Sequence, residues 1–248
     1  MSSMSLWLSF SFVLIALLLS LWQKLGLEKE IAVSTVRCAV QLLVIGYVLQ
    51  AVFHADHPVY LALVLVMMIA VASWNASRRG DRLPGVYWRI TAALTITATV
   101  TMGLLLLFRL VEPTPQYLIP ISGMIIGNAM MVSGLFLNHM KRETETARGE
   151  IEALLCLGAN KRQAIHDVLK RAVTASMIPT FDTMKTIGLV QLPGTMTGMI
   201  IAGANPIDAV RYQILIMFAF SSSAAISAVL VSLLCYRLWF TRESMLRP

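Results

Sequence analysis

Seven stretches of this chain have the length and apolarity of a helix that crosses a lipid bilayer, and no other feature narrows the possible folds so sharply. A crossing takes about 20 mainly apolar residues, within a range of roughly 17 to 25. The stretches are residues 6–22, 35–53, 59–76, 90–110, 117–138, 187–204 and 212–236. Hydrophobic residues make up 57% of the 248 and charged residues 13%, where soluble domains carry roughly a quarter. A soluble fold of this size could not hide that much apolar surface. The fold class read from this is an all-α polytopic membrane protein of about seven transmembrane helices, a single transmembrane domain over residues 1–248. No Lys or Arg precedes the first apolar run. That run therefore lacks the basic start of a signal peptide and reads as a retained helix.

The distribution of Lys and Arg sets the expected orientation. One set of connecting segments holds Lys24 and Lys29, then Arg78, Arg79, Arg82 and Arg89, then the group from Lys141 to Arg171, and the tail residues Arg237, Arg242 and Arg247. The opposite set holds little beyond Arg109 and Arg211. By the positive-inside rule the first set is cytoplasmic, so the N-terminus is outside and the C-terminus inside. That arrangement needs an odd number of crossings, and seven satisfies it. The formal charge of +7 is thereby read as membrane topology, with no nucleic-acid partner. Cys38, Cys156 and Cys235 are scattered and form no disulfide framework or metal knuckle.

The sixth stretch is the least regular. Starting it near Ile187 leaves Asp182 and Lys185 at the cytoplasmic surface, which avoids the cost of burying charge in mid-bilayer. Pro179 and Pro193 both remove backbone donors and can bend or break a helix. Lipid tolerates a break only where protein or a water-lined cavity covers it. A broken segment here suits a transport path.

Between the fifth and sixth stretches lies a polar segment, about 139–175. The run from Glu150 to Leu157 reads as a helix, and Gly158 supplies the left-handed residue that ends one. Asn160 is a suitable N-cap, with Gln163 at capping-box spacing. A second helix from Lys161 to about Val173 places Ile165, Val168, Leu169, Ala172 and Val173 on one face. Two readings fit such a pair. One is a basic amphipathic surface attracted to anionic lipid. The other is a rigid coupling element that docks on a motor subunit.

The stretch Glu152-Ala153-Leu154, followed four residues on by Gly158, resembles the "EAA" motif of ATP-binding-cassette (ABC) permeases. The longer runs GEIEALLCLGANKRQAIHDVLKRA and IPTFDTMKTIGLVQLPGTMTGMIIAGANPIDAVRYQI resemble a narrower group, the FetB-type permease family. AVQLLVIGYVL and SGMIIGNAM extend that resemblance over most of the chain, and the block from Leu192 to Gly198 is its most specific part. The resemblance implies an iron-export permease of the bacterial inner membrane, multi-pass and homodimeric, that is no enzyme by itself. ATP and magnesium would be bound by a separate ABC ATPase subunit, and this chain contains no P-loop sequence of its own. In that reading Glu152, Ala153, Leu154, Gly158, Ala159, Asn160 and Arg162 form the ATPase-coupling surface. Leu154 replaces the usual Ala of the motif, so importer rules transfer poorly.

Polar and soft side chains near the spans are the path candidates: Asn128, Asp182, Met184, Met196 and Met199. Thioether sulfur suits Cu(I), whereas ferrous iron favours harder donors, and Met is also a common gap filler. Gly123 and Gly127 form a G-x-x-x-G pair suited to close helix packing. Pro179, Pro193, Gly194 and Gly198 are candidate hinge or packing residues. His54, Asp56 and His57 make a short cluster able to attract a cation, and a metal site is otherwise unassigned. Two rival functions remain open. One is a secondary transporter driven by an ion gradient. The other is an ABC permease for a non-metal substrate such as a nucleotide sugar, with which plant relatives of the family have been associated.

Overall fold

The computed structural model describes residues 3–55, 58–80, 83–241 and 245–247. Among them the chain is helical, and its strand-like pairings are two isolated bridges, Ile187 with Gln191 and Phe240 with Leu246. Two compact units divide the chain, Met1–Tyr60 and Leu61–Pro248. The first holds α1 (Ser3–Trp22) and α2 (Glu28–Ala55). Lys24 and Gly26, both at positive φ, turn the chain between them. The Ser20 hydroxyl donates to Glu28 Oε1 at 2.8 Å, tying the end of one helix to the start of the next.

The second unit contains α3 (Pro58–Ser77) from Leu61 onward, a 3-10 turn over Arg78–Gly80, α4 (Val86–Leu107), α5 (Pro115–Thr146), α6 (Arg148–Cys156), α7 (Lys161–Ala164), α8 (His166–Thr186), α9 (Gly194–Ile201), α10 (Pro206–Cys235) and a second 3-10 turn over Tyr236–Trp239. Among the described residues, five segments are long and apolar enough to cross a membrane: Glu28–Gln50, Val59–Gly80, Val86–Leu107, Pro115–Thr146 and Pro206–Trp239. Phe10–Trp22 of α1 is a shorter apolar stretch. The chain is an all-α, multi-pass membrane protein.

Helix α5 is the axis of the second unit. Pro115 sits in its first turn, where a missing N–H costs nothing. The 32 residues of α5 are about 48 Å of helix at 1.5 Å per residue. It packs against α4, α8 and α10, and Ile90, Leu94, Phe136, Ile165, Val231 and Cys235 are fully buried in the core these helices share. Because lipid tails are as apolar as leucine, helices in a bilayer associate through small residues and interhelical hydrogen bonds. Here Asn128 Nδ2 donates to the Phe220 carbonyl at 2.8 Å, and the Ser133 and Ser227 hydroxyls meet at 2.9 Å. Gly123 lies directly against α3, since a Cβ there would come 2.9 Å from Met68 Cε and displace that methyl group.

The helix limits differ from the expected segments in three places. Residues 187–204 do not form one helix. Helix α8 already begins at His166 and runs to Thr186, residues 187–193 form a turn, and only the eight residues of α9 follow. Val168, Ala172, Ser176 and Thr180 repeat every fourth residue as the buried stripe of α8, so packing holds a helix whose average apolarity is low. Pro179 is accommodated inside α8, and Pro193 is the cap before α9. The expected fifth span ending at 138 continues unbroken to Thr146, eight residues into the segment assigned to the cytoplasm. The expected helix from Lys161 to Val173 is interrupted at Ile165, whose ψ of 1° is not helical and whose side chain is fully buried.

Candidate functional site

Two regions of the second unit gather the candidate residues. The first is the hairpin of α6 and α7. Gly158 adopts φ +90°, a conformation open to glycine. The Gly158 N–H donates to the Leu155 carbonyl at 3.1 Å and the Ala159 N–H to Leu154 at 3.0 Å. This is the paired pattern of a Schellman C-cap. Asn160 Oδ1 accepts from the Gln163 N–H and Gln163 Oε1 accepts from the Asn160 N–H, both at 2.9 Å, completing a reciprocal capping box. The turn is therefore fastened from both sides.

Ile151, Ala164 and Ile165 anchor the hairpin in the core, while the opposite surface is open. Glu152, Ala153, Gly158, Asn160 and Arg162 are exposed and Ala159 is half-buried. Leu154 is 36% exposed and Leu157, at the tip, 84%. Glu152 accepts from Arg148 Nε at 3.0 Å, one helical turn away. At the base of the excursion, Arg171 Nε pairs with Glu143 Oε2 at 2.7 Å.

The second region is the interrupted segment from α8 to α9. Val173 and Met177 pack beside Val132, Ala224 and Ala228. At the far end, Thr195 of α9 donates to the buried amide oxygen of Gln213 on α10. Helices α8 and α9 thus run antiparallel to α10. Asp182 is five residues beyond Met177, about 7.5 Å along the axis, which brings it and Lys185 alongside the part of α10 between Ala224 and Gln213. Residues 212–236 of α10 carry no charge. Asp182 and Lys185 form an ion pair one helical turn apart on the outer face of α8. Their side chains are 63% and 75% exposed and 3.8 Å apart.

The turn itself is closed by Gly188 N–H donating to the Gln191 carbonyl at 2.9 Å, with Gly188 at φ +84°. Met184 precedes it, Met196 and Met199 follow it, and all three are half-buried. At Gly194 and Gly198 a Cβ would meet nothing within 4 Å. Gly127 is likewise unobstructed, unlike Gly123. Asn128 is buried, and its amide also reaches the Ser223 hydroxyl at 3.2 Å, so it fastens α5 to α10. No three His, Cys, Asp or Glu side chains among the described residues cluster as metal ligands. The His54, Asp56 and His57 cluster lies outside the described residues, save the backbone of His54 in α2.

Residues 3–240 match the family described as "Uncharacterised protein family (UPF0014)". The chain belongs to the UPF0014 family. It is 48% identical to "UPF0014 membrane protein YjkA" of Bacillus subtilis (strain 168) over 247 residues, 100% of this chain and 99% of that one. It is 36% identical to "Probable iron export permease protein FetB" of Escherichia coli (strain K12) over 242 residues, covering 98% and 93%. "Protein ALUMINUM SENSITIVE 3" of Arabidopsis thaliana is 39% identical over 238 residues, covering 95% and 86%. No solved structure matches the chain.

The UPF0014 fold also brings in residues that linear reading passed over. Glu143 and Arg171 are 28 positions apart, and no local pattern connects them. Gln213 sits in an apolar run, and its partner Thr195 is on another helix. Arg148 had a local signal, the i,i+4 spacing to Glu152.

Proposed function

We propose that this chain is the membrane subunit of an ABC-type exporter for iron or another metal ion, working as a homodimer in the bacterial inner membrane with a separate ATPase that binds ATP and magnesium. The observation that carries this reading is the α6–Gly158–α7 hairpin, capped on both sides, anchored by Ile151 and Ile165, and presenting Leu154 and Leu157 outward. A hairpin closed in this way moves as a body. A partner that grips its tip displaces the ends of α5 and α8 together through the Glu143–Arg171 pair.

The cargo route in this proposal runs along the exposed face of α8. In this proposal Asp182 and Lys185, exposed apart from their mutual pairing, reach into the bilayer, where charges need a water-filled path or a protein partner. A second copy facing α8 would enclose both. The Asp182 carboxylate is a hard donor for ferrous iron, and Met184, Met196 and Met199 flank the interruption with softer ones. The similarity to a protein named as a probable iron export permease supports iron as the cargo. The chain performs no hydrolysis by itself in this scheme.

The test is co-purification of the chain with its ATPase, reconstitution in vesicles, and measurement of ferrous iron flux with and without ATP. ATP-dependent flux is the expected result. Flux that proceeds without any ATPase and collapses with an uncoupler would replace this reading with that of a gradient-driven transporter.

A further inference from the structure

A second constellation lies apart from the α8 face and involves three segments far apart in sequence. A cavity of about 660 Å³ is lined by Arg78, Arg79, Lys141, Arg148 and Arg247, with Glu145 as the one carboxylate among the described lining residues. The volume is within the range of small-molecule sites, roughly 300–1,000 Å³. Arg78 and Arg79 come from the 3-10 turn after α3, Lys141 from the end of α5, Arg148 from the start of α6 and Arg247 from the C-terminal bridge. Membrane topology alone asks only for basic residues on one side. It does not ask that they converge.

The convergence is built into the packing. Gly134 on α5 is the cradle for Arg79, since a Cβ there would come within 2.9 Å of Arg79 Cδ and 3.2 Å of its Nε. Gly80 is buried, and a Cβ there would lie 3.3 Å from Leu137 Cδ1. Arg247 is held in place by its N–H donating to the Trp239 carbonyl at 2.8 Å and its Nε donating to Phe240 at 3.3 Å. Arg148 donates to the Arg247 carbonyl at 3.3 Å.

Among the described lining residues, basic side chains outnumber carboxylates five to one. Arg78, Arg79 and Lys141 make no ion pair or hydrogen bond among the described residues. Like charges gathered around one space repel one another unless an anion joins them. An anion with several acceptor oxygens offsets that repulsion, and the guanidinium fork matches phosphate oxygens two at a time. Leu137 and Trp239 give the cavity an apolar wall as well, which suits the organic part of an ester better than a bare ion.

We propose that this cavity is a binding site for a phosphate-ester anion, supplied either by the headgroup of an anionic phospholipid or by a soluble organic phosphate. Through Arg148 the bound anion adjoins Glu152 and the hairpin. The site does not depend on the cargo or on the ATPase.

The experiment uses the purified full-length chain without an ATPase. In one arm, retention of phosphatidylglycerol against phosphatidylcholine is read by native mass spectrometry. In the other, glycerol 3-phosphate is titrated and binding is read by calorimetry. The doubly substituted R78Q/K141Q protein is expected to lose at least tenfold in affinity in the arm that binds. K170Q, an exposed lysine of α8 outside the cavity, should match wild type. E145Q removes the opposing carboxylate and is expected to bind severalfold more tightly, which keeps the test open if the double variant fails to fold. Cavity-dependent phosphatidylglycerol retention alone assigns the lipid source, and cavity-dependent glycerol 3-phosphate binding assigns the soluble one. Binding in neither arm, or binding indifferent to both R78Q/K141Q and E145Q, overturns the proposal.

Discussion

Glu143 near the end of α5 and Arg171 near the start of α8 meet at 2.7 Å although they are 28 positions apart in sequence. The pair closes the base of the excursion that carries α6 and α7, so that the hairpin leaves the helical core and returns to it at one point. Both partners are substantially exposed. Exposed pairs contribute little to global stability, so in the proposed coupling scheme the strap would direct force and not hold the fold together. We expect E143Q and R171Q to leave the thermal midpoint nearly unchanged while lowering cargo-stimulated ATP hydrolysis by severalfold. The exchanged pair, Glu143→Arg with Arg171→Glu, should recover most of it. Failure of the exchange to rescue would argue against the strap.

The turn at Gly158 separates two explanations of one residue. A Cβ at Gly158 would meet nothing within 4 Å, so the cost of a side chain there comes from φ +90° alone, about 1–2 kcal/mol. Gly158→Val should therefore still insert in the membrane, with a modest drop in thermal midpoint, yet lose stimulated hydrolysis with the ATPase. Gly158→Asn, which tolerates the left-handed region better, should fall between the two. Equal hydrolysis by all three proteins would remove the hairpin from the coupling route.

Asn160 makes a smaller and more local contribution. Its side chain caps α7 and its N–H donates to the Gln163 side-chain oxygen. Asn160→Ala should cost about 1 kcal/mol, and amide exchange should speed up in α7 before it does in α5 or α10. Uniform acceleration across all three helices would mean that the cap supports the whole bundle.

Asn128 and Asp182 are expected to respond in opposite ways. Asn128 is buried with its amide committed to Phe220 and Ser223, so Asn128→Ala should cost about 1–3 kcal/mol and lower the thermal midpoint measurably. Asp182 is exposed on α8, so Asp182→Asn should leave that midpoint unchanged and reduce metal flux in vesicles. Undiminished flux in the Asp182→Asn protein would exclude this carboxylate from the path.

Much of this molecule is decided by the order of its residues alone. The long apolar runs specify helices because a backbone inside lipid must satisfy its own hydrogen bonds. The Gly158 turn and the Asn160–Gln163 box are equally local, since each depends on residues within six positions. Other features needed the folded chain. A hydropathy average over 166–186 sees Asp182 and Lys185 and places a boundary after them. The helix forms regardless, because Val168, Ala172, Ser176 and Thr180 bury one narrow stripe against neighbours whose positions no average over consecutive residues contains. Asn128 could equally have faced a pore or a neighbour until Phe220 and Ser223 were found beside it. Arg78, Lys141 and Arg247 read as three separate counts toward membrane orientation, and only the packing of α3, α5 and the C-terminal bridge brings them around one cavity. Local hydrogen bonding and partition into lipid act over neighbouring residues, whereas which side chains share a space depends on contacts between distant segments.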